Sequence, residues 1–231
     1  MTHSVQHSTE HNFSMRMVLI LGTCIFSIVF INCIPSVFGA QLAYDTYGVE
    51  IALYYAIWVG VLFAIFPRTL AHILRRKQSI LVWISALLYM CLVAYLYIAV
   101  IPVWYEYSLI HYASTVAVPD FMKGGSHYFI AKVFEILFQQ LLISITILML
   151  FKYRESYNFV LLVFASLFVL AHMTLIPKLG YEVTGIFLGA ALIGSVIFPY
   201  CVLRVQHGHV LAYLVHWSFY VCATACMLYF S

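Results

Sequence analysis

The chain has 231 residues, of which 65% are hydrophobic and only 8% are charged, whereas soluble globular proteins carry roughly 25% charged residues. This balance excludes an ordinary soluble domain, and a net charge of +3, scattered along the chain, excludes a nucleic-acid binder. The solvent of such a chain is the lipid bilayer. A polar tail, residues 1–16, opens it; with His3, His7 and His11 it reads as disordered and cytoplasmic. Seven apolar spans follow: Met17–Ile34, Ile51–Phe66, Ile80–Ile101, Tyr128–Phe151, Phe159–Leu175, Val183–Leu203 and Val210–Phe230. Most are near the ~20 residues needed to cross a hydrocarbon core, and in lipid each must be helical because its backbone can bond only to itself. The expected fold is therefore all-α, a polytopic bundle of about seven transmembrane helices. Residues 17–127 hold the first three helices and an outer loop, and residues 128–231 a four-helix core.

Prolines mark the ends of the spans. Pro35, Pro67, Pro102 and Pro177 stand where stop signals are expected, whereas Pro199 lies inside the sixth span and should bend it. The run "VFGAQ" offers a cleavage site after Ala40, but a polar tail and a long apolar run precede it, which favours a retained first helix. Six cysteines fall within or at the ends of spans, without metal-ligand or disulfide spacing, and read as small packing residues. Arg16, Arg68, Arg75, Arg76, Lys77, Lys152, Arg154 and Arg204 fall on one side; Lys123, Lys178 and the helix-edge Lys132 fall on the other. The positive-inside rule then puts the N-terminus in the cytoplasm and the C-terminus outside. The connection after Ile101, with Trp104, Tyr105, Tyr107 and Tyr112, suits the outer headgroup layer as a separate helix lying on the membrane.

The fourth span carries residues that lipid does not tolerate. An uncompensated amide in an apolar medium costs roughly 2–7 kcal/mol, and a charge costs more. Lys132, Glu135 and Gln139 share one helical face, with Gln140 and Ser144 on the adjoining one. This half of the helix must face protein or a cavity. Read alone, the stripe is a helix–helix interface glued by amides, with Lys132 and Glu135 an ion pair near the outer headgroups. However, the fifth span carries His172, and the seventh carries His209, Tyr213, His216 and Tyr220 on one face. Polar stripes on three helices point to a shared hydrated cavity.

The order "FQQLLIS", "FASLFVLAH" and "GIFLGAALIGSVIFPYCVLRVQHGHVLAYLVHWSFY" resembles the CAAX-protease and bacteriocin-processing family of intramembrane proteases, also called the Abi family. Its motifs are Glu-Glu-x-x-x-Arg, Phe-x-x-x-His and His-x-x-x-Asn or a variant of it. This chain presents Gln139-Gln140-x-x-x-Ser144, Phe168-x-x-x-His172 and His216-x-x-x-Tyr220, within about residues 130–225. The resemblance implies a bacterial cytoplasmic membrane and a water activated at the position of Gln139. It implies that histidines and asparagine orient that water or hold the oxyanion, and that Phe168, Ser144, Tyr220 and Tyr213 stand near the substrate. Glutamine keeps the shape of glutamate but cannot accept the proton, and losing a general base costs ~10²–10⁴ in rate. The expected protein is thus a divergent member without glutamate-dependent proteolysis, binding a peptide or a partner's transmembrane segment. An active endopeptidase using Glu135 with His172 and His216 is the alternative, although Lys132 would pair with Glu135 and blunt it as a base. A third reading is a haem or quinone protein using His72, His172 or His216. The leading reading requires no cofactor.

Overall fold

The computed structural model describes residues 13–23, 25–27, 44–75, 79–111 and 123–230, and every structural statement concerns these. The histidine tail, the "VFGAQ" run and Tyr112 lie outside them. Among the described residues there is no strand, as expected where lipid leaves backbone groups no partner but their own helix. The helices are α1 (Phe13–Ser27), α2 (Tyr44–Ile65), α3 (Pro67–Arg75), α4 (Ile80–Tyr95), α5 (Ile101–His111), α6 (Ser126–Arg154), α7 (Tyr157–Met173), α8 (Ile176–Arg204) and α9 (Gly208–Phe230). Five stretches are long and apolar enough to cross a membrane: Thr46–Ile65, Ile80–Tyr107, Ser126–Arg154, Leu179–Arg204 and Gly208–Tyr229. Helices α1 and α7 are shorter apolar ones.

Three prolines act otherwise than expected. Pro102 does not end the third span, which runs unbroken from Ile80 to His111 through a π-helical turn at Leu96–Val100. A proline lacks its N–H and crowds the carbonyl four residues back, and a widened turn relieves both conflicts. Trp104, Tyr105 and Tyr107 therefore continue this helix and do not form a separate element on the membrane. The Tyr97 carbonyl in the wide turn accepts the Gly125 N–H at 2.6 Å. Gly124 beside it has φ 82°, and a Cβ there would lie 2.8 Å from Ile101 Cγ2 and 2.9 Å from the Tyr97 oxygen. Only glycine fits that turn. Pro177, in turn, is the second residue of α8 and starts that helix. The backbone stays helical at Pro199, and the break in α8 is at Gly180, with φ 75° and ψ 174°.

Helix α6 is the hub, because each of three buried clusters draws on it. Phe138, Leu142, Ile145 and Met149 meet Leu62, Phe66, Leu70 and Ile73 of α2 and α3. Ile136 joins Tyr97, Phe187 and Trp217. Ile143, Ile147 and Leu150 pack with Val160, Phe164, Phe198 and Val202. Surrounded on most sides by other helices, α6 escapes the lipid that would penalise its polar residues. Gly48 lets α2 approach, since a Cβ there would strike the His127 backbone. Helix α2 begins seven residues before the expected Ile51, and those residues reach the first turns of α6. The α6–α7 turn is Glu155-Ser156; Glu155 is left-handed at φ 48°, and Ser156 accepts the Phe159 N–H at 3.4 Å. Of the cysteines described, only Cys201 is buried; Cys91, Cys222 and Cys226 are exposed free thiols, so the packing role expected of all six does not hold for these three.

Candidate functional site

The polar residues of α6, α7 and α9 divide into three groupings. The first surrounds a carboxylate. Lys132 Nζ lies 2.7 Å from Glu135 Oε2, and the two side chains are only 2% and 8% exposed. Tyr44 of α2 donates its hydroxyl to the same oxygen at 2.8 Å, and Gln139 Nε2 donates to Glu135 Oε1 at 3.2 Å. The Lys132 ammonium also lies 4.9 Å above the Tyr44 ring and 4.8 Å above that of Tyr220, where ring quadrupoles attract it. The i,i+3 pair expected of Lys132 and Glu135 is thus present, and it is enclosed by protein. Both charges are buried among three helices, because α2 extends far enough to cover them. A desolvated pair persists only when its remaining lone pairs and protons are also engaged, and here three donors share one carboxylate.

The second grouping bridges α6 and α9. Gln140 Oε1 is 3.3 Å from His216 Nδ1, and Ser144 Oγ is 3.2 Å from His209 Nδ1. All four residues are buried. Among the described residues, Gln140 Nε2 has no hydrogen-bond partner.

The third grouping is a void of about 30 Å³ where α7, α8 and α9 meet. His172, His216, Tyr220 and Phe168 line it, with Phe187, Phe198, Phe219 and three alanines. His172 Nδ1 is 2.8 Å from the Phe168 carbonyl oxygen. The His216 ring stacks on Tyr220, with centroids 5.7 Å apart, and lies 5.4 Å from Phe198.

The expected site residues therefore gather in part. His172, His216, Phe168 and Tyr220 share the void, and Gln140 touches it through His216. Gln139, at the position where the resemblance places the activating glutamate, bonds to Glu135, and neither lines the void. Ser144 is one turn away with His209, and Tyr213 donates to the Val133 carbonyl at 3.3 Å. His72 is exposed on α3, beside Pro67, Arg68 and Ala71. The residue that sequence reasoning missed is Tyr44. Its one signal is Tyr44 with Tyr47 a turn later, ahead of Ile51, and a helix start placed too late hides it. The sequence places His209 on the polar face of α9 with Tyr213, His216 and Tyr220, but not its pairing with Ser144.

The fold and the buried charges define an all-helical integral membrane protein with a polar interior. No protein-family model, no curated protein and no solved structure matches the chain.

Proposed function

We propose that this chain is a divergent, non-proteolytic member of the CAAX-protease and bacteriocin-processing family. In this reading seven helices, α7 and α1 included, cross a bacterial cytoplasmic membrane with the N-terminus inside and the C-terminus outside. Its role is to bind a peptide or a partner's transmembrane segment. The observation that carries the reading is the meeting of three motif positions from three helices. Gln140 of α6 contacts His216 of α9 at 3.3 Å, and His216 shares one void with His172 of α7. Amides, Gln139 and Gln140, stand at both glutamate positions of the motif, and an amide cannot accept the proton, so the site lacks its base.

The active alternative finds less support. Glu135 already accepts from Lys132, Tyr44 and Gln139, and it does not line the void that holds the two histidines. A general base must reach the proton it removes, directly or through one water. The test is a cleavage assay on purified protein with candidate membrane peptides, comparing the wild type with His172→Ala and Glu135→Gln. No turnover in any of them is expected; turnover lost with His172→Ala overturns the proposal.

A further inference from the structure

The two imidazoles of the void offer the same edge. His172 Nδ1 lies 2.8 Å from a backbone carbonyl, which can only accept, so Nδ1 carries the proton. His216 Nδ1 faces the Gln140 carbonyl oxygen at 3.3 Å and carries its proton for the same reason. Each ring is left with Nε2, a bare acceptor, and neither Nε2 has a hydrogen-bond partner among the described residues. Both imidazoles line the void together with Tyr220, and the rest of the lining is phenylalanine and alanine.

Size and surroundings narrow the occupant. A volume of about 30 Å³ holds a head group of one or two heavy atoms, given that one water needs roughly 10–15 Å³ by the same measure. The void is not fully enclosed, and a chain attached to that head group can lie along the phenylalanines that line it. A metal ion is disfavoured, because no third histidine, cysteine or carboxylate joins the pair among the described residues. A second cation is disfavoured too, since the Lys132 ammonium is 4.8 Å from the Tyr220 ring that lines the same void.

We propose that the void seats a neutral hydroxyl on an apolar chain, a long-chain primary alcohol being the simplest case, with the hydroxyl proton donated to His172 or His216 Nε2. This rests on reading the void as a binding site and not a proteolytic one. The two readings fail separately, since turnover of a membrane peptide tests that one and alcohol binding is measured without any peptide.

Full-length protein in phosphatidylcholine nanodiscs is titrated with tritiated 1-dodecanol, 1-methoxydodecane and dodecylammonium, and empty nanodiscs give the lipid-partition background. Saturable binding of the alcohol is expected. The ether, which keeps the oxygen but has no proton to donate, should bind about tenfold more weakly, the worth of one hydrogen bond. His172→Phe should weaken alcohol binding by a similar factor. Ala191→Leu, which fills the void, should abolish it, and this variant reads the same site if His172→Phe fails to fold. Absence of saturable alcohol binding overturns the proposal, as does equal binding of alcohol and ether or undiminished binding by Ala191→Leu. Tighter binding of dodecylammonium than of the alcohol overturns it as well.

Discussion

Tyr44 and Glu135 are 91 positions apart in the chain, yet the phenol of one donates to the carboxylate of the other at 2.8 Å in the buried interior. Lys132 completes the cluster and lies over both Tyr44 and Tyr220, so one ion pair joins α2, α6 and α9. Removing the phenol leaves a buried carboxylate short of a donor, which typically costs about 1–3 kcal/mol. Tyr44→Phe should lower stability by that amount in a reversible denaturant titration in mixed micelles. An unchanged midpoint would mean that the carboxylate does not depend on α2.

The ion pair itself predicts a non-additive pattern. Glu135→Leu leaves Lys132 as an uncompensated buried charge and should destabilise by about 3–5 kcal/mol. Lys132→Met strands the opposite charge at similar cost. The double variant Lys132→Met/Glu135→Leu removes both charges and should recover most of the loss. Simple addition of the two single penalties in the same titration would argue against a coupled pair.

Gly124 is held by geometry of another kind. At φ 82°, packed against Ile101 and the Tyr97 carbonyl, it has neither the space nor the backbone freedom for a side chain. Gly124→Ala should destabilise by more than ~1 kcal/mol. Gly60, where a Cβ meets open space, serves as the control, and Gly60→Ala should be neutral or mildly stabilising. Thermal unfolding of the two variants side by side separates the effects.

The proposed orientation is open to chemical labelling. In a background with all six native cysteines replaced, the exposed ones by serine and the buried Cys201 by alanine, single cysteines at Lys152 and His127 report the two ends of α6. A membrane-impermeant maleimide added to intact cells should label His127→Cys and spare Lys152→Cys until the cells are opened. The reverse pattern would invert the topology.

Much of the framework is legible in the residues, for reasons that can be named. Long apolar runs dictate helices because lipid offers the backbone no other partner, and the polar stripe on α6 dictates that this helix is enclosed. The late start assigned to α2 has a physical origin. Tyr44, Asp45 and Thr46 carry no apolar periodicity, and they are helical because Gly48 admits α2 against the backbone of α6. Pro102 misleads similarly, since whether proline ends a helix depends on the turn before it, and the π-helical turn at Leu96–Val100 is supported by a glycine turn more than twenty positions away.

By itself the sequence determined a chain that lives in lipid, folds into helices and hides amides, imidazoles and an ion pair from the hydrocarbon. Composition and period suffice for that, because both act through local backbone and solvent. Only the tertiary structure decided which polar group meets which. Adjacent residues on a helix point about 100° apart; Gln139 therefore turns to Glu135 while Gln140 turns to His216, and the packing of α2 and α9 determines what each of them finds.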